Sequence, residues 1–337
     1  MIDYFGYTGK VCVVTGAASG IGMATAKLLV DCHAIVYAID CKKVDIKGIE
    51  HFIVADLCKK EEIDYAFSII PEHIDSFFGV AGLSGARTNY YTTFTVNFIA
   101  NKYITDEYLV KRMESGASIS YVTSTGGLNW QKYAKEFLKF IQAKTWNEMM
   151  EILHEQAKED TIGMMAYPLS KRALNYYSSL MAIQLGERGI RVNALLPGST
   201  DTGMKEEFEV EAGGSEELIS HTGVAKRLAT PEEMAEPLIF LNSNMARFIS
   251  GETLIVDYAS TAMVYLGMKK DPMNRRVGSK FYNTSLVQNM LKKQLVPLQE
   301  KAETRQEVEE ILSQETKTIK VIEPNTEELK KMDDEVL

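Results

Sequence analysis

The chain has 337 residues, 45% hydrophobic and 25% charged, which is the balance of a soluble globular protein rather than a disordered or membrane one. A net charge of -9 at pH 7, with no basic cluster interleaved with aromatics, argues against a nucleic-acid or anionic-membrane surface. The longest apolar runs fall far short of the roughly 20 residues of a membrane span, so small molecules are the expected partners and membrane insertion is not.

Apolar β-rich runs alternate with helix-period segments from the start. Strands are predicted over 11–15, 34–40, 51–55, 75–81 and 118–123, with helices over 21–30, 61–70 and 93–113 between them. A helix over 169–187, a strand over 190–195, a helix opening at Thr230-Pro231-Glu232-Glu233 and a strand over 253–257 complete the series. Thr230 with Glu233 forms a capping box, and Pro231 suits the first helical position. The βαβα order predicts an α/β fold: a Rossmann-type doubly wound parallel sheet with a helical insert and a C-terminal extension. The catalytic domain is expected over 1–258, with the insert at 128–166 inside it, and a largely helical or flexible extension over 259–337.

Cys12, Cys32, Cys41 and Cys58 form no CxxC pair, so reduced thiols are expected. The five histidines show no metal-ligand spacing, and no metal site is expected. The start carries no basic stretch followed by an apolar one, which points to a cytoplasmic location.

Thr15-Gly16-Ala17-Ala18-Ser19-Gly20-Ile21-Gly22 falls where a strand gives way to a helix, so backbone N–H groups and the helix dipole can meet a pyrophosphate. Glycine there also serves tight turns for steric reasons alone. Asp40, 18 residues beyond Gly22 at the end of the next strand, is placed to bond ribose hydroxyls and to repel a 2′-phosphate. This favours NAD as cofactor, although Lys42 and Lys43 close by are able to neutralise a phosphate.

These residues resemble the short-chain dehydrogenases/reductases, over nearly all of residues 8–258. The resemblance takes in the glycine loop with Gly16, Ser19, Gly20, Ile21 and Gly22, the Asp56-Leu57 pair that contacts adenine, and Asn97 in its helix. It continues with Ala81-Gly82 at the adenosine pocket, Ser124 at a strand end, Tyr167-x-x-x-Lys171, and Pro197-Gly198 followed by Thr200 and Thr202. YxxxK alone arises by chance; its place in this order makes it specific. The family's Asn-Asn-Ala-Gly is Gly79-Val80-Ala81-Gly82 here, and between Asp40 and Asp56 there is too little chain for the usual helix. A closer similarity is to the bacterial 3α-hydroxysteroid dehydrogenase/carbonyl reductase branch, which shares the short acid-to-Asp-Leu link and a helical insert before the tyrosine.

The resemblance implies that Tyr167 exchanges the substrate proton, that Lys171 favours phenolate through its charge and holds the nicotinamide ribose, and that Ser124 orients the substrate oxygen. Asn97 would shape its helix and anchor a water linking Lys171 to solvent. Each has a structural alternative: a helix kink for Asn97, a core aromatic for Tyr167, a strand-end cap for Ser124. Residues 203–222 read as a polar, glutamate-rich loop, either a substrate lid or a mobile surface loop. Leu83, Trp130, Met164 and Met165 suit a bulky substrate, though such residues equally build cores.

In the insert, Trp130, Tyr133, Phe137, Phe140 and Ile141 recur at helical spacing, and Thr145 with Glu148 forms a second capping box. The apolar faces are expected to pack on the sheet domain or on a sister subunit of a homo-oligomer. The tail carries a helix-prone stretch at 291–314 and an acidic end. The activity expected is reversible, NAD-dependent oxidation of a secondary alcohol, on a hydroxysteroid or bile-acid-like molecule. The alternatives are a sugar, acyl or small carbonyl reductase and a catalytically silent NAD-binding regulator.

Overall fold

A computed structural model describes residues 3–44, 46–157 and 163–269. Seven strands, β1 (Val11–Thr15), β2 (Ile35–Asp40), β3 (His51–Val54), β4 (Ser76–Gly79), β5 (Ser118–Val122), β6 (Arg191–Pro197) and β7 (Thr253–Val256), form one parallel sheet. Their order is β3-β2-β1-β4-β5-β6-β7. β1 pairs with β2 on one side and β4 on the other, so Thr15 stands between Ile39 and Gly79. That reversal of strand order opens a crevice at the carboxyl ends of the strands, where ligands of such sheets bind.

The helices are α1 (Gly20–Asp31), α2 (Lys60–Ile69), α3 (residues 90–112), α4 (Ala134–Gln142), α5 (Trp146–Gln156), α6 (Gly163–Gly186), α7 (Lys205–Ala212), α8 (Ser215–Ser220), α9 (Pro231–Asn242) and α10 (Ser260–Tyr265). Alternate strand side chains feed two cores, one on each face. Val13, Ile39, Phe77 and Ile119 meet Phe67, Phe98 and Tyr177 of α2, α3 and α6. Cys12, Val14, Val36 and Phe78 meet Leu29 of α1 and Leu238 and Ile239 of α9. The expected capping box at Thr230 and Glu233 is present, and the β2–β3 link contains no helix among its described residues.

Three elements differ from expectation. α3 is a single run with two π-helical stretches, Thr95–Ile99 and Thr105–Leu109. Side chains compete there for backbone acceptors: Asn101 Nδ2 donates to Asn97 O at 3.2 Å and Thr105 Oγ1 to Asn101 O at 2.8 Å. α6 starts at Gly163, six residues earlier than predicted, and accommodates Pro168 in its second turn. The polar segment 203–222 holds α7 and α8, separated by Gly213 at φ +94° and Gly214.

The insert packs on α3. Phe140 is fully buried, its ring 5.1 Å from that of Phe94 and 5.9 Å from that of Phe98. Trp146 meets Tyr103 edge-on at 5.4 Å, and Tyr91 Oη donates to Ala157 O. The Thr145–Glu148 capping box starts α5 as expected. Of the expected extension, Ser260–Tyr265 is helical; residues 270–337, including the helix-prone stretch and acidic end, lie outside the described residues. Among the described residues no helix is long and apolar enough to cross a membrane.

Candidate active site

The crevice begins where β1 turns into α1. Gly16 has φ +70°, and a Cβ on it would fall 2.7 Å from Ala81 Cα, so only glycine lets the ends of β1 and β4 approach this closely. Thr15 Oγ1 accepts from Val80 N at 3.1 Å and Ala81 N at 3.2 Å, fixing the same junction. Ser19 precedes α1 in extended conformation and makes no side-chain cap bond. The first amides of α1, which have no carbonyl partner within the helix, and the dipole behind them thus suit an anion.

Asp40 sits at the end of β2 with both carboxylate oxygens held. Oδ2 accepts from Ala18 N and Oδ1 from Lys42 N, each at 3.0 Å. Its carboxylate is therefore fixed beside the glycine loop. Asp56 caps the turn after β3 by accepting from Cys58 N at 2.9 Å, and Leu57 beside it is buried.

Ser124, just past β5, accepts from Gly126 N at 3.0 Å. Its oxygen acts as acceptor to that amide, leaving its own O–H to donate. One turn apart on α6, Tyr167 and Lys171 face the same side: Lys171 Nζ is 5.7 Å from the Tyr167 ring centre and donates to Val122 O at 2.9 Å. Burial lowers the Lys171 pKa to about 8, because the ammonium loses its hydration. Gly82 allows this approach: a Cβ there would stand 3.3 Å from Nζ.

All of Gly16, Ser19, Gly20, Ile21, Gly22, Asp40, Asp56, Leu57, Ala81, Gly82, Ser124, Tyr167, Lys171, Pro197, Gly198, Thr200 and Thr202 line one cleft of about 1020 Å³. Of the two lysines after Asp40, Lys42 reaches its wall and Lys43 does not. Asn97 is outside the wall and fully buried. It clasps Leu83 by accepting from its N–H at 2.8 Å and donating to its carbonyl at 3.0 Å, and it also donates to Ser170 Oγ at 3.1 Å. It lies in the π-helical stretch Thr95–Ile99.

The expected apolar wall is corrected in part. Leu83 lines the cleft; Trp130, Met164 and Met165 do not, and Trp130 packs on Tyr176 instead. Val96, Met204, Phe208 and Leu218 also line the cleft. Phe208 meets the Tyr167 ring edge-on at 5.7 Å. Arg87 and Glu207 line the same end. In the sequence 203–222 read as either a substrate lid or a mobile surface loop; the contacts of Glu206 and Glu207 were not legible there, because their partners Arg87 and Ser84 lie more than a hundred positions away.

A dinucleotide fits this residue set: the glycine backbone would meet its phosphates, Asp40 a ribose, and Tyr167 with Lys171 the nicotinamide end. The volume stands at the upper end of the ~300–1,000 Å³ of ligand pockets, enough for a long cofactor.

Comparisons with known proteins agree. Residues 132–258 match a family model described as enoyl-(acyl carrier protein) reductase. Coniferyl-alcohol dehydrogenase of a Pseudomonas species is 30% identical over 257 residues, covering 74% of this chain and 96% of that protein. The 3-alpha-hydroxysteroid dehydrogenase/carbonyl reductase of Comamonas testosteroni is 25% identical over 252 residues, covering 74% and 95%. A short chain dehydrogenase family protein from Francisella tularensis, of known structure, superposes with a TM-score of 0.58 at 25% identity over 76% of this chain and all of its own. The chain belongs to the short-chain dehydrogenase/reductase family. It is an oxidoreductase of alcohol and ketone groups that binds a nicotinamide cofactor. The hydroxysteroid branch is one of several similar relatives.

Proposed function

We propose that this protein catalyses the reversible, NAD-dependent oxidation of a secondary alcohol to a ketone, on a hydroxysteroid or bile-acid-like substrate. The observation that carries the reading is the single cleft joining Asp40 at one end to Ser124, Tyr167 and Lys171 at the other. The similarity to a 3-alpha-hydroxysteroid dehydrogenase and the apolar wall of Leu83, Val96, Met204, Phe208 and Leu218 support a bulky, largely apolar substrate.

When bound, the nicotinamide supplies the hydride acceptor or donor. The chain handles the proton. In the oxidative direction the Tyr167 phenolate takes the hydroxyl proton of the substrate, and in reduction the phenol returns it to the ketone oxygen. Lys171 beside the ring favours the phenolate while charged. With its own pKa lowered to about 8 it exchanges protons readily near neutrality. The O–H of Ser124 donates to the substrate oxygen and orients it toward Tyr167. The amides at Ser19–Gly22 hold the pyrophosphate and Asp40 the adenosine ribose.

The test is NADH formation across steroids, bile acids, polyols and aromatic alcohols, with Tyr167→Phe as control. Turnover of ring alcohols is expected, with Tyr167→Phe lowering kcat by about 10²–10⁴-fold, the range typical of a lost general acid-base. Unchanged turnover in that variant would overturn the mechanism. Turnover confined to sugars or acyl carbonyls would overturn the substrate class.

A further inference from the structure

The substrate end of the cleft is covered by residues 199–230, an excursion between β6 and α9 pinched at its base. Thr200 bridges Ala229 there, with Asp201 N donating to Ala229 O at 2.8 Å and Ala229 N to Ser199 O at 3.0 Å. One side of this lid is tied close to β7 and α10, through Ser260 Oγ donating to His221 O at 2.7 Å. On the other side α7 spans the cleft to the loop after β4. Glu207 accepts from Ser84 Oγ and stands 3.2 Å from Arg87 Nε, while Arg87 Nη2 donates to Glu206 at 2.9 Å.

The two glutamates are not equivalent. Glu206 is 80% exposed, so its pair with Arg87 is screened by water and weak. Glu207 is 14% exposed and inside the cleft wall. Its anchor is rigid: Ser84 is buried, its Oγ accepts from Ala86 N at 3.1 Å, and the preceding Leu83 is clasped by Asn97. One residue beyond Glu207, the Phe208 ring lies against Tyr167. Fixing Glu207 thus fixes the aromatic wall beside the proton-transferring group.

We propose that Glu207 is a positioning residue of this site: by tying α7 to Ser84 and Arg87 across the cleft, it holds Phe208 against Tyr167 and closes the substrate end. This rests on the alcohol-oxidation reading for what is closed upon. Substrate entry and product exit then require the tie to break. Glu207 governs the affinity for the alcohol and leaves the distant Asp40 end untouched.

Steady-state kinetics on the alcohol turned over by the wild type, with cofactor affinity measured by NADH fluorescence, test this. Glu207→Ala is expected to raise KM for the alcohol about tenfold, the effect of one lost charge-assisted hydrogen bond. NADH affinity stays within twofold, and Glu207→Gln, which keeps an acceptor for Ser84, falls between. Phe208→Ala raises KM similarly, and the double variant is no worse than the worse single one, because both changes remove the same wall. An alcohol KM within twofold of the wild type, an equal loss of NADH affinity, or effects that multiply in the double variant would each overturn the proposal.

An activity-free arm uses Arg87→Met, which leaves Glu207 in place. Trypsin cleavage after Lys205, followed by mass spectrometry, is expected to quicken severalfold in this variant and to stay unchanged in Glu216→Ala, a charge loss elsewhere on the lid. Equal cleavage of Arg87→Met and wild type counts against the tie. If the wild type oxidises no alcohol at all, the proposed function falls while the trypsin result still decides whether the tie exists.

Discussion

Lys171 shows how burial changes the proton affinity of an ordinary side chain. Its amine is buried in the cleft wall with Val122 O as partner, and its pKa is down to about 8. In the unfolded chain the amine keeps its proton up to 10.5, whereas the folded chain gives it up near 8. Between those values the unfolded state binds more protons, so the stability this residue contributes rises with pH. Below pH 8 the folded protein carries a costly buried charge. Lys171→Met, which is never charged, is therefore expected to have its most favourable Tm relative to the wild type at pH 7, and to lose ground steadily as pH approaches 10. Thermal unfolding of both proteins without cofactor checks this; a Tm difference that does not change with pH would contradict it. The Tyr167–Lys171 spacing was legible in the sequence because four residues make one helical turn. The burial that sets the lysine's pKa was not, since it depends on β5 and Gly82 arriving from other parts of the chain. The Ser84–Glu207 contact was hidden for the same reason, its members being 123 positions apart.

At the scale of elements, the insert was readable because its two helices carry apolar residues at helical spacing and a capping box. Phe140 fills the space between Phe94 and Phe98 of α3. Phe140→Ala removes a fully buried ring and is expected to cost about 3–5 kcal/mol. Thr145→Ala removes only the cap of α5 and is expected to cost about 1 kcal/mol. Urea denaturation of the two variants, compared at equal m-values, measures both; a Phe140→Ala loss no larger than that of the cap would mean the insert packs loosely. The two helices of the lid escaped sequence reading because Lys205–Ala212 and Ser215–Ser220 show no apolar stripe. Their regularity comes from glutamates in the first turns, which suit the helix dipole, and from the glycine pair that separates them. The π-helical stretches of α3 left no periodic trace either, because single side-chain bonds from Asn101 and Thr105 produce them.

For the molecule as a whole, the strand order decides where chemistry occurs. Reversal between β2 and β4 around β1 places the glycine loop, Asp40 and the β5 end on one rim, and the two cores beneath make that rim rigid. A ligand that binds only the folded rim stabilises the whole domain. At one hundred times its Kd, NADH is expected to add about 2.7 kcal/mol, which for a domain of this size corresponds to a rise in Tm of about 5–10 °C. The fixed carboxylate of Asp40 makes the size of that rise depend on the phosphate. NADPH at the same concentration meets like charge next to the Ala18 amide, where Asp40 Oδ2 is already held, and its shift is expected to be smaller by several degrees. Asp40→Ser removes the charge but keeps a polar group, so it should lower the NADH shift, raise the NADPH shift and bring the two together. Differential scanning fluorimetry of wild type and variant with each cofactor reads all four values. An NADPH shift equal to that of NADH in the wild type would show that Lys42, which also reaches the cleft wall, outweighs Asp40; the cofactor preference would then fall while the alcohol chemistry at Tyr167 stood.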